Sequence, residues 1–138
     1  MSALEPTDTP FQVPPQSKGL TWAGRILSAL IILPFGMSAF FKFNPPPEIA
    51  ENFVKMGFTA EQMRMIGVVE VMCLVVYLIP QTAVLGAILL TGYLGGATEV
   101  HVHQKEPFVA PVIIGVIVWL GIFLRDPRVR GLIPFRKL

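Results

Sequence analysis

Glu70 is the residue on which any chemistry in this chain would turn. Its carboxyl group sits in an apolar run, with Arg64 the nearest charge before it and Glu99 the nearest after it. A charge deep in hydrocarbon costs about 2.5–3.5 kcal/mol on insertion scales. Glu70 is therefore expected to be protonated, paired or turned toward an aqueous cavity. Lys42 is the first candidate partner, because it ends an apolar stretch that carries no charge after Arg25. Its flexible stem reaches either inward to a carboxylate or outward to lipid headgroups. Three dispositions stay open: a snorkelling lysine, a structural Lys42–Glu70 pair, and a pair engaged in proton or ligand chemistry.

A second polar group follows, Thr98, Glu99, His101 and His103, with Tyr93 a little upstream. Histidines two apart lie on different sides of a helix. If the helix continues to Val102, His101 points inward and His103 toward solvent, and Glu70, Lys42 and His101 gather in one half of a bundle. Tyr93 and Thr98 fall on different helix faces. Two histidines and two glutamates are adequate metal ligands, but the paired Glu-x-x-His motifs of a di-iron bundle are missing, so no metal site is expected. Haem held by this chain alone is not expected either, since both histidines fall near a membrane edge. There is no phosphate loop, nucleophile elbow, CxxC or dinucleotide fingerprint, which argues against an autonomous hydrolase or kinase. Cys73 has no second cysteine to pair with and reads as a small packing residue.

The elements that must position these groups are apolar helices. The 138 residues are 53% hydrophobic and only 14% charged, with a mean hydropathy of +0.63. Soluble domains carry about 25% charged residues, so this chain lacks the polar side chains to cover its own surface in water. The reading is an all-α fold: a transmembrane four-helix bundle with a short interfacial helix between the first two spans. Spans are expected at about 20–43, 61–79, 82–98 and 108–124, each near the length that crosses a hydrocarbon core of about 30 Å. Residues 1–19, rich in Pro, Ser, Thr and Gln, are expected to be disordered. Residues 20–125 form the membrane domain and residues 126–138 a basic tail.

Pro34 is expected to kink the first span. Ile49, Phe53 and Met56 mark the amphipathic interfacial helix, closed by Gly57 as a left-handed cap. Thr59 and Gln62 form a capping-box pattern, and Pro80 divides the long uncharged stretch into a tight hairpin. Gly92 and Gly96 carry the GxxxG spacing that lets helices approach closely. Phe35, Phe40, Phe41 and Phe43 cluster at one end of the first span and either pack the bundle or line a site for a flat apolar ligand.

Four spans place both termini and the 80–81 turn on one side of the bilayer. That side holds Lys18, Arg25, Arg125, Arg128, Arg130, Arg136 and Lys137, and the other holds Lys42, Lys55, Arg64 and Lys105. Seven basic residues against four favours both termini in the cytoplasm. The thin spread of basic residues elsewhere argues for no nucleic-acid partner.

From Gly24 to the C-terminus the chain resembles the DoxX-like family of four-helix membrane proteins. Gly36-Met37-Ser38-Ala39-Phe40-Phe41-Lys42 is similar to that family's small-residue stretch ending in Lys. Val54-Lys55-Met56-Gly57-Phe58 resembles its loop segment, and Gly67-Val68-Val69-Glu70 its G-x-x-E motif. Leu94-Gly95-Gly96-Ala97 with His101, and Leu124-Arg125-Asp126-Pro127-Arg128, complete the series in order. Glu99 and His103 depart from the general pattern. The resemblance implies a bacterial inner-membrane protein of no established activity, with founding members similar to small membrane subunits of a thiosulfate:quinone oxidoreductase. Quinone is then the candidate cofactor. A redox subunit, the lipid bilayer and a second copy of the chain are the candidate partners. The rival readings are a non-enzymatic assembly or scaffold protein and, with less support, a small-solute carrier, since no inverted repeat is visible.

Overall fold

The computed structural model describes residue 13 and residues 15–133. The described residues are all-α, with seven helical segments among them: α1 (Lys18–Leu30), α2 (Ile32–Phe43), α3 (Pro47–Lys55), α4 (Ala60–Leu78), α5 (Ala83–His103), α6 (Val109–Arg125) and α7 (Pro127–Leu132). Most of the expected disordered N-terminal segment, and Arg136 and Lys137 of the tail, lie outside the described residues.

The segments follow local chemistry. α1 and α2 run together as one 26-residue rod, divided at Ile31. Pro34 has no N–H for the Leu30 carbonyl and its ring crowds that carbonyl, so the break falls one residue after Leu30. α3 ends in a full Schellman motif. Gly57 takes φ +85, its N–H donates to the Val54 carbonyl at 2.9 Å, and the Phe58 N–H donates to the Phe53 carbonyl at 2.9 Å. A Cβ at a left-handed position is strained. Gly57→Ala is therefore expected to lower stability by about 1 kcal/mol, read as a downward shift in the thermal unfolding midpoint.

α4 opens on the capping box. The Gln62 N–H donates to the Thr59 hydroxyl at 3.1 Å, and the Thr59 N–H to the Gln62 side-chain oxygen at 2.8 Å. At its other end the Thr82 hydroxyl donates to the Val76 carbonyl at 2.8 Å, tying the Pro80 turn to the helix it terminates. α5 runs to His103, five residues past the expected end near Thr98. Thr98 and His101 satisfy themselves on their own helix, against the Leu94 and Ala97 carbonyls, so neither stops it. Within the tail, Asp126 caps a short helix, α7, through the Arg128 N–H. α1 likewise begins at Lys18, just inside the segment expected to be disordered. Gln16 before it donates to the Leu124 carbonyl at 3.0 Å.

α1 packs on α6, α2 on α4, α4 on α5 and α5 on α6. Tyr77, Leu90, Val118 and Ile122 form the fully enclosed centre. Around them the outward faces are apolar, with Leu33, Met37, Met65, Met72 and Val116 all exposed. An apolar face that is not covered by protein belongs in hydrocarbon rather than water. Two helices are long and apolar enough to cross a bilayer, Lys18–Phe43 and Ala83–His103. α6 is apolar but has 17 residues, and α4, with 19, carries Glu61, Arg64 and Glu70.

The closest helix crossings lie at one end of the molecule. A Cβ on Gly24 would meet the Gly121 carbonyl oxygen and the Arg125 nitrogen at 2.6 Å, and one on Gly86 would meet the Tyr77 backbone at 2.2 Å. The expected close approach at Gly92 and Gly96 is absent, as nothing lies within 4 Å of a Cβ at either. Those glycines face open space rather than a packed neighbour. At the tight end the Tyr77 hydroxyl donates to the Val118 carbonyl at 2.8 Å and shares a 3.1 Å hydrogen bond with Ser28. Arg125 donates to the Tyr77 carbonyl at 3.0 Å. Removing a buried hydroxyl that bridges three helices leaves partners short of a bond. Tyr77→Phe is expected to cost about 1–2 kcal/mol, visible in the denaturation midpoint of the purified protein.

Candidate functional site

Lys42 is one residue from the end of α2, where a cation is favoured by the exposed carbonyls of the last turn. Glu70 lies near the middle of α4. Gly67, one turn before Glu70, lets the two helices meet: a Cβ there would sit 3.2 Å from the Lys42 Cβ and 3.3 Å from the Phe43 ring. The Lys42 ammonium reaches Glu70 Oε2 at 2.9 Å, with side-chain exposures of 11% and 2%. Of the three dispositions open from sequence, the structure has the inward-turned lysine.

The pair is the core of a wider polar ring. Lys42 also donates to the Ser38 hydroxyl, one helical turn back on α2, and makes a longer 3.5 Å contact with the Ser38 carbonyl. Tyr93, from α5, lines the same wall as Glu70 and Ser38. The Lys42 ammonium stands 5.8 Å from the centre of the Tyr93 ring, within range of a cation–π attraction. Phe35 braces Tyr93 from α2, with ring centroids 6.0 Å apart and tilted by 52°. Hydrogen bonds thus join α2 to α4, and α5 adds the Tyr93 ring beside the ammonium.

This ring lines a cavity of about 810 Å³. The walls are mostly apolar, among them Phe35, Phe58, Met63, Leu94 and Ile114. Its other polar side chains are Glu99, His101 and Glu106. His101 holds its Nδ1 2.7 Å from the Ala97 carbonyl. Glu106 is brought to the rim by a turn in which Lys105 adopts φ 58, and the Glu106 N–H donates to the His101 carbonyl at 2.8 Å. Gly92 and Gly96 also line the cavity, and with no side chain they leave its volume open.

Of the residues singled out from sequence, Lys42, Glu70, Tyr93, Glu99 and His101 come together around this space. Thr98 and His103 do not. Thr98 faces a separate apolar groove of about 590 Å³ between α5 and α6, where Trp119 donates to the Thr91 hydroxyl at 2.8 Å. His103 is exposed at the last residue of α5. Of the aromatic cluster, Phe35 lines the cavity, Phe43 packs on Gly67, and Phe40 is exposed. Ser38 and Glu106 were not anticipated. Ser38 had a signal, since residues four apart on a helix share a face with Lys42. Among the described residues no three of His, Cys, Asp and Glu gather closely enough to hold a metal ion.

No curated protein and no solved structure matches the chain. A family model does: that of the DoxX-like family aligns with residues 26–121, from the first rod to the tight end of α6. It takes in Lys42, Glu70, Tyr93 and His101, so the ring and cavity fall within the matched region. On that match over most of its length, the chain belongs to the DoxX-like family of membrane proteins.

Proposed function

We propose that this protein is a four-span, multi-pass subunit or accessory factor of the bacterial inner membrane, serving a quinone-linked or thiol-redox process. The α1–α2 rod, α4, α5 and α6 are its spans, and both termini face the cytoplasm, as the bias in basic residues favours. The observation that carries the reading is the cavity of about 810 Å³, whose largely apolar, partly aromatic wall ends on the Lys42–Glu70–Tyr93–Ser38 ring. Ligand sites are typically apolar clefts of about 300–1,000 Å³ with a few converging polar groups. A flat isoprenoid quinone matches that combination, with its ring against Phe35 and Tyr93 and its tail leaving toward exposed Met65 and Val69. Electrons are supplied or removed by a partner subunit, because the chain shows no redox centre of its own among the described residues.

The test is extraction of total quinone, oxidised plus reduced, from protein purified with its native lipid. Near-stoichiometric quinone, falling at least tenfold in Glu70→Gln, is the expected result. Quinone no higher than in the surrounding lipid, unchanged by Glu70→Gln, overturns the proposal. A second reading, a scaffold whose polar group fixes helix register, is favoured by one observation: the buried Lys42–Glu70 pair ties α2 to α4, with the ammonium also held by Ser38.

A further inference from the structure

Charge is divided unevenly between the two ends of the molecule. The end that holds the start of α1, the end of α6 and α7 carries Lys18, Arg25, Arg125, Arg128 and Arg130. The one acid there among the described residues is Asp126, and its carboxylate accepts from the Arg128 backbone N–H. None of the five cations is in an ion pair among the described residues, where the Lys42–Glu70 bridge stands alone. At the opposite end acids prevail, with Glu48, Glu51, Glu61, Glu99 and Glu106 against Lys55, Arg64 and Lys105.

Two of the unpaired arginines are held in place by the protein. Arg125 donates through Nη2 to the Tyr77 carbonyl at 3.0 Å, and its guanidinium stands 5.0 Å from the centre of the Tyr77 ring. Arg130 follows Val129, which is buried in the core, and donates through Nη2 to the Gln16 side-chain oxygen. Gln16 in turn donates to the Leu124 carbonyl at 3.0 Å, next to Arg125, so one residue ties both arginines' helices to the start of α1. Arg130 Nε is buried with no hydrogen-bond partner among the described residues. A guanidinium has five N–H donors, and these contacts use one from each arginine. A phosphate is the anion whose oxygens match the guanidinium fork. Side chains already fixed by protein contacts lose little freedom in binding it.

An apolar groove leads to the same end. The space of about 590 Å³ between α5 and α6 follows α6 from Pro111 to Phe123 and reaches Ile133, three residues past Arg130. That stretch of α6 rises about 18 Å, against about 15 Å for one leaflet of a hydrocarbon core about 30 Å thick. Gly95 lines the groove and leaves it open, as a Cβ there would meet nothing within 4 Å. Trp22 is exposed at the basic end, with the Arg25 guanidinium 5.5 Å from its ring centre. Tryptophan collects at the depth of lipid headgroups.

We propose that the groove and the basic end together bind one anionic phospholipid, its phosphate on Arg125 and Arg130 and an acyl chain along α5 and α6. The groove alone would take any lipid, and the arginines alone any small anion. An amphiphile with a negative headgroup uses both. This inference rests on the chain being a membrane protein and not on the quinone reading.

The experiment is native mass spectrometry of the full chain in nonionic detergent, titrated separately with phosphatidylglycerol and phosphatidylcholine of identical acyl chains, with thermal unfolding midpoints measured alongside. The first phosphatidylglycerol is expected to bind about tenfold more tightly than phosphatidylcholine. Arg130→Gln is expected to bring that preference to within about twofold of unity, whereas Arg128→Gln, which removes the same charge from an exposed position, changes it less than about twofold. Gly95→Leu, which fills the groove, is expected to weaken both lipids alike. Equal binding of the two lipids by the wild-type chain overturns the inference, a comparison that needs no variant to fold; it is also the outcome if the chain's own Glu5 or Asp8 occupies the arginines. Arg128→Gln as damaging as Arg130→Gln overturns it in favour of a diffuse surface field. Inorganic phosphate raising the midpoint as much as phosphatidylglycerol overturns it in favour of a soluble anion.

Discussion

Lys42→Met alone is expected to destabilise the protein by about 3–5 kcal/mol, and adding Glu70→Leu to it is expected to recover most of that loss. The asymmetry follows from burial. Glu70 is 1% exposed and its ammonium partner is 2.9 Å away. Removing the lysine strands a carboxylate in a low-dielectric interior, and it must either take up a proton or draw water in. Removing both charges and filling the space with side chains of similar volume abolishes the desolvation cost of each. The comparison is read from unfolding midpoints in detergent and from abundance in the membrane. A double variant as unstable as Lys42→Met would show that the ring does more than neutralise itself. A single variant of wild-type stability would show that Glu70 does not depend on Lys42.

Much of this was legible because it is local. The Thr59–Gln62 capping box, the left-handed Gly57, the break near Pro34 and the hairpin at Pro80 each depend on residues within a few positions of one another, and all are present. Glu70 announced itself by isolation, as the one charge between Arg64 and Glu99. What was not legible depends on how each helix is rotated about its axis. Ser28 and Tyr77, 49 residues apart in sequence, share a buried hydrogen bond, yet neither is unusual in an apolar helix. Glycines are equally mute. Gly92 and Gly96 have the spacing associated with close approach, but the close contacts are made by Gly24, Gly67, Gly86 and Gly121. The cavity itself is a consequence of those rotations. Ser38, Glu106 and the exclusion of Thr98 followed from which face of α2 and α5 looks inward.

The distribution of those glycines makes the packing uneven. Gly24, Gly86 and Gly121 draw the helices together at the end that holds Lys18, α7 and the Pro80 turn, where Tyr77 and Arg125 lock them. Toward the other end Gly67 holds α2 against α4, while Gly92, Gly95 and Gly96 on α5 meet nothing, and the space they leave adjoins the polar ring. A site assembled from three helices needs a rigid base, and the hydrogen bonds of Tyr77 supply it. Geometry at the ring is thus set by contacts several turns away, at residues that touch no ligand.

That arrangement predicts opposite outcomes for one substitution at two places on α5. Gly86→Ala puts a methyl 2.2 Å from the Tyr77 nitrogen and Cα, both backbone atoms that no side-chain rotation can move. Helices α4 and α5 must part at their tightest crossing, which costs about 3 kcal/mol at the upper end of ordinary overpacking. The gain of about 1 kcal/mol in helix propensity offsets only part of it. The net loss, about 2 kcal/mol, is expected to appear as a lowered unfolding midpoint. It should also weaken occupancy of the cavity, because the α4–α5 crossing no longer fixes where Tyr93 and Glu70 stand. Gly92→Ala, six residues along the same helix, meets nothing within 4 Å and keeps the propensity gain. It is expected to raise stability by up to about 1 kcal/mol. Unfolding measured side by side decides the matter: two midpoints that move in the same direction would mean that the α4–α5 crossing at Gly86 is not the fixed point from which the site is built.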